Sequence, residues 1–342
     1  MGAPDLIRLL TFFRRLNLPR WPRRAAARIV EEHDLSSPSG ALYDHYLPRS
    51  TVRSRIVALH GVTRKGKDDP RLVRFSRSLA SAGVECFVPT LRGLAEFDWR
   101  GSDIDDLVAL VLGVAGGARS LGVVGFSFGG SYALVAAARS EISQTLRFVL
   151  AVGAYHSLVD LYERVAAVGA DGRFAGSRGD MDDWIYLHLV AARRLAPELR
   201  LDPATLVEMD SLLDRYCHSS SLPEKTSFYE RHLEGRNLLQ QDWAMADRAV
   251  LERLSPATRL RSVACPVRLL HDPEDAIVPA DHAHKIAAEL GRWDRSCRLV
   301  VTPLLHHVSL SSALMTADWV RIAALFLPVM AMRPGKDESG AD

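Results

Sequence analysis

The pentapeptide Gly125-Phe126-Ser127-Phe128-Gly129 fits the pattern G-x-S-x-G, in which a serine is forced onto a tight turn between a strand and a helix. Glycine at both flanks lets the neighbouring backbone pass close enough for that turn to form. The string lies between an apolar run, Leu121-Gly-Val-Val-Gly-Phe126, and an Ala-rich segment over 131–139. That is the setting in which the hydroxyl stands exposed above a sheet as a nucleophile. An attacking serine needs a base, and the base needs a carboxylate that orients its ring and stabilises its charge. Both follow in the chain: Asp272, Glu274 and Asp275 come after an apolar run over 266–271, and His306 and His307 come after a second run over 297–302. The order Ser, Asp, His, each at the end of its own strand, suits acyl transfer at the carboxyl edge of a parallel sheet.

The elements that must position these groups have a parallel-sheet rhythm. Strands are expected at Ser54-Arg-Ile-Val-Ala-Leu-His-Gly61, at Val84–Pro89, at 121–126 and at 148–153, with helices over 71–82, 103–113 and 131–139 between them. From Val159 to about Leu254 the pattern turns helical, and strands resume at 266–271 and 297–302, each followed by a helix (280–290 and 311–326). The organisation expected is a basic, amphipathic helical segment over 1–45, a sheet domain over 46–157 and 255–330, a helical insertion over 158–254 and a polar tail over 331–342. The fold class is α/β, a mostly parallel, doubly wound sheet carrying a helical cap.

At these positions the sequence resembles the α/β-hydrolase superfamily, in the branch with a helical cap inserted after the sixth strand. The resemblance covers roughly 50–157 and 254–328 and rests on His60-Gly61, Pro89-Thr-Leu-Arg-Gly93, the Ser127 turn, Ser255-Pro256 leading to Pro266, and Asp275-Ala-Ile-Val-Pro279. It implies Ser127 as nucleophile, Asp275 as the acid and His307 as the base, with oxyanion donors on the backbone of Val62 and Phe128. Backbone donors aimed at a growing oxyanion are worth about 3 kcal/mol of barrier. Family members usually place glycine before the histidine, whereas this chain has the doublet His306-His307. His307 is assigned because Val308 and the following helix match the usual residues after the base, leaving His306 to the pocket wall. Asp272 and Glu274 are then solvated or capping groups; some cap-bearing members carry the acid after the sixth strand instead, and Asp160 lies near enough to be that alternative.

Composition narrows the remaining choices. The 342 residues carry 43 Lys plus Arg against 41 Asp plus Glu, a net charge of +2, which is too balanced for a protein that binds nucleic acid by neutralising phosphates. With 48% hydrophobic and 25% charged residues, disorder and rod-like folds are excluded. Cys86, Cys217, Cys265 and Cys297 are scattered with no C-x-x-C pair, so they read as buried free thiols. His271, His282 and His284 lie near acidic residues, but His282 and His284 point to different sides of a helix, so no metal and no cofactor is expected.

The apolar stretch Leu6–Leu18 is broken by charge and is neither a secretory signal nor a spanning helix, so the expected compartment is the cytoplasm. Residues 1–28 hold seven arginines against Asp5, with Leu6, Leu9, Leu10, Phe13 and Leu16 at helical spacing. Packing on its own domain is the favoured reading of that helix, and peripheral contact with an anionic membrane is the other.

The expected function is a serine hydrolase that cleaves a carboxylic ester, thioester or amide of a small-molecule acyl substrate through an acyl-enzyme. The alternative is a binding or scaffold protein that keeps the fold without turnover. Trp184, Tyr186, Tyr216, Phe228, Tyr229 and Trp243 give the insertion aromatic surface, mostly for its own core, with one or two facing the pocket. Arg193 and Arg194 are the residues that would serve a phosphorylated or coenzyme A substrate.

Overall fold

A computed structural model describes residues 3–16, 23–116, 120–168, 181–215, 222–306, 309–310 and 317–331. Eight strands form one sheet: β1 (Ile29–Ser36), β2 (Leu42–Pro48), β3 (Ser54–Leu59), β4 (Val84–Pro89), β5 (Leu121–Phe126), β6 (Leu146–Val152), β7 (Val267–His271) and β8 (Cys297–Val301). Their order is β1-β2-β4-β3-β5-β6-β7-β8. β1 and β2 run antiparallel at one edge, and the other pairs from β4 to β8 are parallel. The α/β class and the mostly parallel, doubly wound sheet expected from the sequence are therefore both present.

Parallel strands covered on both sides must be apolar on both sides, and these are. Along β3, Val57 and Leu59 enter one core while Ile56 and Ala58 enter the other, and β6 divides Val149 and Ala151 from Phe148, Leu150 and Val152 in the same way. The first core takes the elbow helix (Phe128–Ala137) and the helical segment that follows β6. The second takes the helices Ala3–Leu16, Pro70–Ala80 and Ala317–Ala331.

Two expectations need correction. Residues 29–45 are not helical: β1 occupies 29–36 and β2 opens at Leu42, so only the first part of the 1–45 segment is helix. β1 lies at the edge of the sheet, where Glu32, His33 and Asp34 face solvent, and its register slips between Glu32 and Leu35 with Asp34 at φ 56°. The bulge breaks the two-residue alternation by which a strand is recognised. With these two strands counted, the run at 146–152 becomes the sixth strand rather than the fourth.

Between β6 and β7 the described residues form helices, among them Leu158–Val168, Met181–Arg194, Pro203–Asp214, Leu222–His232 and Leu238–Met245. The two ends of this segment lie side by side: the Tyr155 hydroxyl donates to Leu254 O at 3.0 Å, and Leu158 N–H donates to Ser255 Oγ at 2.8 Å. Cys86 and Cys265 are buried and Cys297 is half-buried; Cys217 and the polar tail from 332 lie outside the described residues.

Candidate active site

Ser127 sits between β5 and the elbow helix at φ 52°, ψ −127°, a conformation that L residues rarely adopt. The surroundings hold it there. Its N–H donates to Val152 O on the neighbouring strand at 2.7 Å, and its carbonyl accepts from Gly130 N–H at 2.8 Å. A Cβ on Gly125 would stand 2.3 Å from Gly129 O, and one on Gly129 would stand 2.2 Å from His60 O. Both flanking glycines are thus demanded by backbone passing against backbone. The first turn of the elbow helix follows Ser127 directly, so its N-terminal dipole favours negative charge beside the hydroxyl.

His60 is fully enclosed, and its two ring nitrogens have separate duties. Nε2 accepts from Leu91 N–H at 2.9 Å, which leaves Nδ1 to donate to Gly61 O at 2.7 Å. The His-Gly pair and the Pro-Thr-Leu-Arg-Gly stretch are therefore two halves of one clamp. It presses the chain at Gly61 against Ser127, where an added Cβ would meet Ser127 Cβ at 2.9 Å. Behind the clamp, Asp103 accepts from the N–H groups of Gly93 and Leu94 at 3.0 and 3.2 Å, and burial raises its carboxyl to about 6. Val62, next in the chain, lines the same cavity as Ser127 and Phe128, and its carbonyl accepts from the Tyr186 hydroxyl at 2.7 Å.

Asp275 is buried in the loop after β7, two strands away from Ser127. Its Oδ1 accepts from the N–H groups of Ile277 and Val278 at 3.0 and 2.9 Å, and its Oδ2 stands 3.5 Å from His271 Nε2. Of the other acids, Asp272 is buried and caps its own turn through Glu274 N–H at 3.0 Å. Asp160 is half exposed on the helix Leu158–Val168 and pairs with Lys285 at 3.4 Å. His306 closes the short strand β9 (Leu305–His306), where it pairs with Ser309 of β10 (Ser309–Leu310). His307 and Val308, between those strands, lie outside the described residues.

Ser127 lines a cavity of about 400 Å³ that extends beneath the helical segment. Trp99, Phe128, Tyr186, Val190 and Leu239 shape one end of it, and Leu16, Phe75 and Phe326 shape the other. Trp99 lies stacked on Phe128, with ring centroids 5.2 Å apart. Its Nε1–H donates to the Tyr162 hydroxyl, and the Arg194 guanidinium lies 4.8 Å over its ring. Arg194 also binds Asp242 at 2.7 Å and Phe97 O at 2.7 Å, and burial raises the Asp242 carboxyl against the pull of that arginine. Arg193 is held by Asp210 at 2.9 Å. Both arginines thus serve partners within the protein.

Sequence reasoning missed Trp99, Tyr162 and Asp242 as cavity residues, because nothing in their local patterns marks them. Of the insertion aromatics, Tyr186 reaches the cavity, Trp184, Phe228 and Tyr229 are buried, Trp243 packs against the core, and Tyr216 lies outside the described residues. His282 is buried and accepts from His156 N–H at 3.2 Å, His284 is exposed, and His271 bonds Val278 O at 2.7 Å. Among the described residues no group of three or more His, Cys, Asp or Glu could hold a metal ion.

The buried rings give the fold a pH dependence with a defined sign. Burial lowers His60, His188 and His282 to about 4, so each is neutral in the native state and titrates near 6.5 in the unfolded chain. Between those values the unfolded chain binds more protons, so stability falls as the pH drops from about 6.5 to about 4. His45 opposes this: against the burial that lowers it, hydrogen bonds to Glu85 and Glu32 raise its pKa, so its contribution is complete in acid and lost as pH rises past the folded value. With three rings against His45 and the raised Asp103 carboxyl, which binds its proton more tightly in the fold, the urea midpoint is expected to be lower at about pH 5 than at about pH 7. An equal or higher midpoint at the lower pH would show that the three rings are not held neutral.

A serine on a strained strand-to-helix turn at the carboxyl edge of this sheet defines an α/β-hydrolase architecture. Residues 56–324 match the Alpha/beta hydrolase family, and the chain belongs to that family. No curated protein matches the chain. Among solved structures it is similar to a puromycin-hydrolyzing peptidase of Mycobacterium tuberculosis, with 17% identity and a TM-score of 0.54 over 95% of this chain and 42% of that one. It is also similar to an esterase of Pyrococcus furiosus (13% identity, TM-score 0.51, 92% of this chain and 96% of that). A third is a 2-hydroxy-6-oxo-6-phenylhexa-2,4-dienoate hydrolase of Rhodococcus (17%, 0.51, 88% and 98%). The chain spans less than half the length of the peptidase. At these identities the likeness concerns the fold.

Proposed function

We propose that the protein is a serine hydrolase of carboxylic esters with an apolar acyl group, in which Ser127 is the nucleophile, His307 the base and Asp275 its orienting acid. The observation that carries this reading is the strained elbow at Ser127, a conformation with a steric cost, opening on an apolar cavity. Ser127 Oγ attacks the ester carbonyl carbon as His307 takes its proton; the backbone N–H groups of Val62 and Phe128 receive the oxyanion, assisted by the elbow helix dipole. Collapse returns the proton to the departing alcohol and leaves the acyl group on Ser127. Water, deprotonated by the same histidine, then releases the acid. Asp275 suits its part because the N–H groups of Ile277 and Val278 hold one carboxylate oxygen and fix the orientation of the group. An ester is favoured over a coenzyme A thioester because Arg193 and Arg194 are engaged by Asp210 and Asp242, and Arg71, which lines the cavity, is held by Asp69 at 2.9 Å.

A fluorophosphonate probe followed by peptide mapping tests the assignment: label is expected on Ser127, and label elsewhere or none would leave a binding protein on this fold. The acyl end is set by Trp99, which Tyr162 and Arg194 lock against Phe128. Trp99→Ala is expected to move the optimum on a ladder of p-nitrophenyl esters toward longer acyl chains, by about tenfold in relative kcat/KM. An unchanged ladder would place the acyl group at another wall of the cavity.

A further inference from the structure

The N-terminal helix (Ala3–Leu16) carries two apolar faces, and the fold uses one. Leu9, Phe12 and Phe13 are buried, with the Phe12 ring 5.6 Å from Phe75 and 5.5 Å from Phe326, and the Phe13 ring 5.3 Å from Trp319. Arg15 Nη1 adds a hydrogen bond to Ser81 O at 2.9 Å. The helix is therefore held on the domain in one orientation, as the favoured sequence reading expects.

The other face is turned outward. Leu6, Ile7 and Leu10 are 40%, 63% and 52% exposed, and Arg14, also exposed, continues the same face one turn further on. Three large aliphatic side chains clustered in water on a helix already anchored through its opposite side add nothing to the core. Charge distinguishes the occupants that could cover them. Asp5, the one acidic residue of 1–28, is paired with Arg8 at 3.2 Å, whereas Arg15 is crowded by Arg28 and Arg14, which add to burial in lowering its pKa. The end of the helix is thus a cluster of like positive charges beside an apolar stripe. A second copy docking on this face by a twofold axis would bring the same face, with its arginines, against itself. An anionic bilayer offers both complements at once, hydrocarbon for the leucines and phosphate for the guanidiniums.

We propose that the Leu6, Ile7 and Leu10 face of the N-terminal helix, with Arg14 at its edge, docks the protein onto the surface of anionic membranes. The helix lies in the headgroup plane; among the described residues no helix is long and apolar enough to cross a membrane. Its last residue, Leu16, lines the cavity that holds Ser127, so the docked surface adjoins the wall of the site. The docking does not depend on what Ser127 does.

Sedimentation of the full-length protein with phosphatidylcholine vesicles, with and without phosphatidylglycerol at low salt, tests the proposal. Pelleting with the anionic vesicles is expected. The combined variant Leu6→Glu, Ile7→Glu, Leu10→Glu should reduce it by about tenfold or more with an unchanged thermal melt, since all three positions are exposed. Arg14→Glu, which alters no apolar contact, should weaken binding as added salt does. Wild-type protein that stays in the supernatant with anionic vesicles overturns the proposal. So does a triple variant that pellets as well as wild type, or a dimer that the triple variant dissolves while no vesicle binding is seen.

Discussion

Ser127→Ala protein is expected to fold normally, to take up no fluorophosphonate and to lose ester turnover by several orders of magnitude. The proposed nucleophile is a single atom, Oγ, and among the described residues no other hydroxyl stands on such a turn, at φ 52° between two glycines that backbone contacts demand. Removing one member of a cooperating triad costs about as much as removing all of them, so the residual rate should be the roughly 10³ to 10⁴ over water that binding and oxyanion donors alone supply. The same turn predicts a stability effect of opposite sign. Ser127→Gly also deletes Oγ, but glycine reaches positive φ without steric cost, so this variant should be more stable than wild type by about 1 kcal/mol while equally inactive. Urea titration and p-nitrophenyl ester turnover on the two variants check both statements. Turnover that survives in purified Ser127→Ala protein would remove the triad.

His307→Ala and Asp275→Asn should each cut turnover by about 10³-fold or more, while His306→Ala should be mild. For Asp275 the reasoning is geometric. Its Oδ1 is taken by Ile277 and Val278 N–H, which fixes the carboxylate plane in the loop after β7. An asparagine there can keep one acceptor oxygen for those donors but must present an amide where an anion is needed to stabilise the imidazolium, so the fold should survive while the rate falls. For the histidine doublet, His306 is in register with Ser309, and His307 is the next residue in the chain. If His306→Ala is the dead variant and His307→Ala stays active, the assignment in this loop is off by one. Steady-state kinetics with melting curves for the three proteins separate loss of chemistry from loss of fold.

How much of this was legible beforehand depended on how local the cause was. The elbow is encoded by adjacent residues: Gly125 and Gly129 are there because a Cβ at either would strike backbone, a steric rule that acts within five positions of the chain. The buried strands β3, β4, β5, β6 and β7 were legible because burial on both faces writes mostly apolar runs into the sequence. β1 was not, since an edge strand exposes its charges and this one is bulged at Asp34. Asp275 and the doublet at 306–307 were placed by order and by resemblance, which also set Asp275 apart from the neighbouring Asp272 and Glu274.

The sequence by itself therefore determined the class of sheet, the turn that presents Ser127 and the order of the groups that would serve it, because each follows from short-range sterics or from the periodicity of burial. Tertiary structure alone decided the rest. The cavity is walled by Trp99, Tyr162, Tyr186, Leu239 and Leu16, which come from distant parts of the chain. Tyr162, Arg194 and Asp242 meet around Trp99 only once the helical segment has folded back over β5. It also decided that the N-terminal helix would bury Phe12 and Phe13 and leave Leu6, Ile7 and Leu10 outside. Such contacts depend on which surfaces remain to be covered after the sheet has formed, and that is a property of the packed whole rather than of any window of sequence.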